Sequence, residues 1–169
     1  MEASTEMSNL VIRPAAEIDV PVILSFIKKL AEYERLSHEV VATEESLRTT
    51  LFGEKPYAEV VIGYYRNQPV AFALFFHNYS TFLGRPGIYL EDLFVLPEMR
   101  GKGFGRAMLG YLARVAKERN CGRLEWWVLD WNESAIHFYK NLGAIPMDEW
   151  TVFRVTEEAL EGLASVDRQ

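Results

Sequence analysis

Cysteine is nearly missing from this chain: Cys121 is the single one in 169 residues. An internal disulfide is therefore excluded, and a reducing, cytoplasmic setting is expected. Histidine is scarce as well. His38, His77 and His137 are scattered without ligand spacing, so no metal site is expected. No apolar run approaches the ~20 residues of a membrane helix, and residues 70–76 form about the longest. Basic residues are in deficit, 18 against 24 acidic, for a net charge of −6. That balance disfavours nucleic acid as a partner. A Gly-x-Ser-x-Gly elbow is absent, as is a Walker loop with its Gly-Lys-Ser/Thr ending. What remains is ordinary globular composition, 49% hydrophobic and 25% charged.

The polar stretch over residues 1–9 is unlike a signal peptide and reads as a loose tail. Residues 10–169 read as one domain. Residues 10–13 form a short strand candidate. Asp19 then caps a helix with Pro21 in its first turn, and its apolar stripe runs Val20, Ile23, Leu24, Ile27, Leu30. Thr43 opens a second helix to about Phe52. Residues 57–65 and 69–77 read as strands joined by a turn at Arg66, Asn67 and Gln68. A turn at residues 84–87 precedes 88–96, apolar almost throughout, as expected of a central strand buried on both faces. Residues 103–119 predict a helix, 123–129 a strand, and 132–142 a helix capped by Asn132. Residues 150–155 predict a closing strand, and 157–164 a helix capped by Thr156. This order points to one mixed α/β domain.

Four features carry possible chemistry. The first is Arg100, Gly101, Lys102, Gly103, Phe104, Gly105 and Arg106, directly after the central strand and opening a helix. Glycines allow a tight turn and close approach of backbone N–H groups to a ligand. The helix N-terminus and three cations suit a phosphate. Arg106 stands where a dinucleotide fingerprint needs its third glycine, so that motif is excluded. The second is Glu91 and Asp92, which interrupt the apolar strand. Adjacent strand residues point to opposite faces, so at least one carboxylate enters an enclosed region; an ion pair is the plain structural alternative. The third is Asn132 with Tyr139, seven residues apart on one helical face with Ile136. Tyr139 then faces inward, either as packing or as a proton donor. The fourth is Glu34, a carboxylate continuing an apolar stripe; Glu125, beside Trp126 and Trp127, is similar.

Arg100-x-x-Gly103-x-Gly105 at a strand-to-helix junction, with Asn132 and Tyr139 one strand and one helix later, resembles the GCN5-related N-acetyltransferase (GNAT) superfamily. Residues 89–92, 97–101, 130–132 and 139–140 resemble its spermidine/spermine group. Residues 30–37 and 128–132 are most similar to the thialysine-acetylating branch. The resemblance covers about residues 11–155. It implies a single α/β domain with a mixed, mostly antiparallel central sheet flanked by helices and splayed at its central strands. It implies that Leu93, Phe94 and Val95 offer backbone groups to the pantetheine arm of acetyl-CoA. Arg100, Gly101, Lys102, Gly103, Phe104, Gly105 and Arg106 would cradle its pyrophosphate. Asn132, Glu133, Ser134 and Ala135 would hold it from the other side, with Tyr139 beside the sulfur. Tyr33, Glu34, Glu91, Asp92, Glu125, Trp126 and Trp127 fall where the family binds its amine. Which of Asp148 and Glu149 faces the substrate stays open. A homodimer is also implied; the charge balance and the short apolar runs already point away from a nucleic-acid or membrane partner.

The chemistry is consistent with that resemblance. An alkylamine has a pKa of about 10.4, so fewer than about one molecule in a thousand is neutral at pH 7. Glu91, acting through water, would accept the ammonium proton, and Tyr139 would protonate the leaving thiolate. No covalent acyl-enzyme is needed, which fits the missing nucleophile motif. Thialysine, lysine-like amines and diamines are the expected substrates. Arg85 and Arg123 are candidates to receive an α-carboxylate. The competing readings are acetylation of a protein N-terminus or lysine, and a non-catalytic acyl-CoA-binding module.

Overall fold

In the computed structural model, residues 9–166 are described; the tail expected over residues 1–9 otherwise lies outside them. The described chain divides into two compact units, with the boundary between Trp127 and Val128.

The first unit holds a five-stranded sheet of order β1-β2-β3-β4-β5. The strands are β1 (Leu10–Pro14), β2 (Glu59–Tyr65), β3 (Gln68–Ser80), β4 (Arg85–Val95) and β5 (Leu124–Trp126). The first three pairings are antiparallel and β4–β5 is parallel, as the mixed, mostly antiparallel expectation required. Arg66 and Asn67 both take positive φ, 50° and 61°, between the paired Tyr65 and Gln68. That is the two-residue hairpin whose twist matches its strands.

Three helices pack on this sheet: α1 (Val20–Tyr33), α2 (Glu44–Phe52) and α3 (Phe104–Glu118). Val20, Ile23 and Phe26 of α1 meet Leu47 and Leu51 of α2 over Val60, Ile62, Phe72 and Phe94. The rings of Phe26 and Phe72 stack at 5.2 Å. Phe104 of α3 packs on Tyr65 and Val70, with ring centroids 5.2 Å apart from Tyr65. Alternation along β2 thus feeds both faces.

Several expectations need correction. Asp19 does not cap α1 through its side chain. It is buried, and Arg13 grips it with both ends of its guanidinium, at 2.8 and 2.9 Å. Tyr64 Oη donates to the same carboxylate at 3.2 Å, and the Ala16 N–H donates at 2.8 Å. A charged partner from β1 outcompetes the local helix end. The turn expected at residues 84–87 is mostly strand, because β3 and β4 stay paired out to Ser80 and Arg85. The strand expected over 123–129 shrinks to three residues.

The second unit contains α4 (Glu133–Asn141) and α5 (Glu157–Ala164). The side chain of Asn132 caps α4 by accepting the Ala135 N–H at 3.2 Å, as expected. Thr156 makes no side-chain cap on α5. Residues 150–155 are not a strand. They have no pairing partner among the described residues, and a strand cannot form without a neighbour to bond its backbone.

Candidate active site

The site begins where β4 loses a neighbour. Ile88, Tyr89 and Leu90 pair with Leu124, Glu125 and Trp126. Beyond Leu90, among the described residues, no strand pairs with that side of β4, while its other side follows β3 to Val95. This is the splay expected of the sheet, and it leaves backbone groups of Leu93, Phe94 and Val95 on an open edge. Phe94 turns its ring into the core, where it meets Phe26 at 6.2 Å. Its contribution to a ligand is therefore limited to the backbone.

A bulge marks the same place. Leu74 faces Asp92 and Phe75 faces Leu90, so Glu91 is the extra residue of β4. Glu91 is exposed and Asp92 is half-buried. Burial, aided by the charges of Glu91 and Glu34, pushes the Asp92 carboxyl up to about 7. Glu34 follows the last residue of α1, and burial raises its carboxyl too. The three carboxylates thus form one electrostatic group, although they lie on two elements. The expectation that one of Glu91 and Asp92 is enclosed holds, and Asp92 is the one.

The turn after β4 has the backbone a phosphate cradle requires. Gly101 and Gly103 take φ of 77° and 83°, in the left-handed region. Gly103 is the N-cap of the 15-residue α3, with no side-chain cap and no acidic residue in its first turn. The helix N–H groups are thus left to an anion, with Lys102 and Arg106 nearby in sequence. The Phe104 side chain is buried in the core, so only its backbone can face a ligand. The side chain of Arg100 turns back. Its Nε donates to the Val95 carbonyl at 3.1 Å, and its guanidinium lies 4.3 Å over the Tyr33 ring.

Glu125 is placed differently from a free substrate ligand. Its Oε2 accepts from Arg123 Nε at 2.8 Å and from Asn78 Nδ2 at 2.7 Å. This ties β5 to β3 across β4. The i, i+2 spacing of Arg123 and Glu125 on one strand face signals that pair in the sequence; Asn78 has no such signal. Arg123 is thereby engaged, and Arg85 Nη1 reaches Asn120 Oδ1 at 3.4 Å. Trp127 is exposed and meets the Tyr89 ring edge-on at 5.6 Å. Trp126, beside it, is half-buried. Asn132, Glu133, Ser134, Ala135 and Tyr139 belong to the second unit. There Tyr139 is half-buried on the same face as Asn132 and Ile136, with its ring 5.3 Å from Phe138.

A sheet splayed beside a bulge, followed by a glycine turn into an uncapped helix, is the framework of an acyl-CoA-dependent transferase. The acetyltransferase (GNAT) family model matches residues 27–144, and the chain belongs to that family. It is 41% identical to the thialysine N-epsilon-acetyltransferase of Bos taurus, covering 94% of this chain and 99% of that protein. It is 33% identical to the L-ornithine N5-acetyltransferase NATA1 of Arabidopsis thaliana, over 90% of this chain and 86% of that protein. Among solved structures, an integron cassette protein from the mobile metagenome of V. cholerae matches with a TM-score of 0.78. Its identity is 26%, over 92% of this chain and 98% of that one. The protein is thus an acetyltransferase, and enzymes of this family use acetyl-CoA. Among the described residues no helix is long and apolar enough to cross a membrane.

Proposed function

We propose that the enzyme acetylates the primary amine of a small cationic molecule: thialysine, an ornithine- or lysine-like amino acid, or a diamine. The observation that carries this reading is the group formed by Glu34, Glu91 and Asp92, in which burial and the neighbouring charges raise the Asp92 carboxyl. A site of this kind attracts an ammonium and has room for its proton. The names of the relatives that act on thialysine and ornithine support it.

Acetyl-CoA fits the turn, because Gly101, Gly103 and the uncapped α3 terminus offer N–H groups to its pyrophosphate. Arg100, Gly101, Lys102, Gly103, Phe104, Gly105 and Arg106 would hold that end, the latter part through backbone. Backbone groups of Leu93, Phe94 and Val95 would hold the pantetheine arm, and the resemblance adds Asn132 to Ala135 as cofactor-binding residues. When bound, it supplies the acetyl group as an activated thioester. Glu91 takes the ammonium proton through water, standing exposed in the bulge. Asp92 beside it holds the ammonium as a carboxylate. The cation in turn favours its ionised form and opposes the effect of its acidic neighbours. Tyr139 supplies the proton from Oη that the sulfur needs. Tyr33, Trp126 and Trp127 form walls for the carbon chain of the amine. A homodimer, on resemblance, and a cytoplasmic setting, from the single cysteine, complete the reading.

The test is thiol release from acetyl-CoA with thialysine, ornithine, lysine, putrescine, spermidine and a neutral arylamine. The cationic amines are expected to win on kcat/KM by at least tenfold. A clear preference for the arylamine overturns the substrate class.

A further inference from the structure

Arg100 opens the glycine turn, yet its side chain is spent on the other end of the site. Its Nε bonds the Val95 carbonyl, the last of β4, at 3.1 Å. Its guanidinium lies 4.3 Å from the centroid of Tyr33, the last residue of α1, and 5.6 Å from that of Phe94. Phe94 is fixed in the core against Phe26 of α1. One planar cation, carried by the first residue of the turn, therefore touches both the strand end and the helix end. Lysine could not reproduce this, because only a guanidinium can stack on a ring while donating in its own plane. Tyr33 is followed directly by Glu34, whose charge reaches Asp92. Arg100 has an extended backbone, with ψ of 162°, immediately before the left-handed Gly101. A movement of the turn thus moves Arg100, and Arg100 carries it to Tyr33.

We propose that Arg100 is a positioning residue that couples the CoA turn to the amine side of the site by stacking on Tyr33. This rests on the amine-acetyltransferase reading and adds a linkage to it: occupation of the turn organises the end of α1 that presents Glu34. Linkage is reciprocal, so a change at Tyr33 must be felt at the turn. Its size is that of an exposed cation–π contact, about two- to fivefold in affinity.

The experiment is calorimetric titration with CoA of the wild type, Tyr33→Phe, Tyr33→Leu, Arg100→Gln and the double variant Tyr33→Leu/Arg100→Gln. Thermal melts establish that each is folded, and Tyr33→Met replaces the leucine variant if that one is not. Tyr33→Leu is expected to weaken CoA binding about two- to fivefold, and Tyr33→Phe, which keeps the ring, to leave it unchanged. In the Arg100→Gln background the leucine substitution should add nothing. In steady-state assays Arg100→Gln should raise the amine KM. Wild-type CoA affinity in Tyr33→Leu, or an equal loss with and without Arg100, overturns the proposal. Should the wild type acetylate none of the amines, the substrate reading fails, and the CoA titrations still decide the coupling.

Discussion

Glu91 and Asp92 are neighbours in the chain, yet the bulge opposite Leu74 and Phe75 leaves Glu91 exposed and Asp92 half-buried. Their roles separate by pH. Glu91 raises the Asp92 carboxyl by its charge, so Glu91→Gln must lower it. If Glu91 is the proton acceptor, the same substitution moves the kcat/KM profile to alkaline values, because the amine must then deprotonate unaided. We expect the alkaline shift and a fall in kcat/KM of about tenfold or more. A profile that moves to acid instead transfers the acceptor role to Asp92.

Asp92 also sets a stability trend. Its folded pKa, about 7, is above the ordinary carboxylate value, so the folded state holds the proton more tightly than the unfolded chain. The contribution of Asp92 to stability is therefore greatest in acid and falls as pH rises through about 4 to 7. Asp92→Asn should stabilise the unliganded protein at pH 8 by about 1–2 kcal/mol, below the ~4 kcal/mol of the whole shift because the site is partly solvated. At pH 4 the gain should be near zero. Urea titrations at the two pH values check it.

The opposite sign holds at Asp19. The hydrogen bonds from Arg13 hold its carboxyl below the usual range. Its contribution is complete above the unfolded carboxylate pKa and is lost as pH falls through the folded value. Asp19→Asn should cost about 1–2 kcal/mol at pH 7, since Arg13 is partly exposed, and little at pH 2. Denaturant melts at both pH values measure the difference.

Gly103 has φ of 83°, which a β-branched residue resists. Gly103→Val should weaken CoA binding by tenfold or more in a folded protein, read by calorimetry. Unchanged affinity would remove the turn from the CoA site.

Tyr139→Phe should leave CoA affinity within about twofold and lower kcat by ~10²–10⁴, the usual range for a lost general acid. A loss of only twofold in kcat would return Tyr139 to packing.

Legibility followed locality. The Thr43 and Asn132 caps were readable because each bonds an N–H three residues on. Positive φ at Gly101 and Gly103 was readable because glycine is what such a turn demands. Asp19 looked the same as those caps and was not one, since its partner Arg13 lies on another element. Glu125 looked available beside its tryptophans, while Asn78, 47 residues away, helps to occupy it. The bulge at Glu91 exists only in the register of two strands. Residues 150–155 are rich in the residues of a strand, but composition does not supply a neighbour to pair with.

The side of β4 from Glu91 to Val95 that no strand pairs with among the described residues is also a hazard, because a strand edge without a partner is a template on which another chain can add a strand. Here the edge is short, and the bulge breaks its regular spacing of donors and acceptors. Glu91 and Asp92 place carboxylates on it, and Arg100 covers the carbonyl at its far end. The features that open the sheet to a ligand thereby also guard it against aggregation.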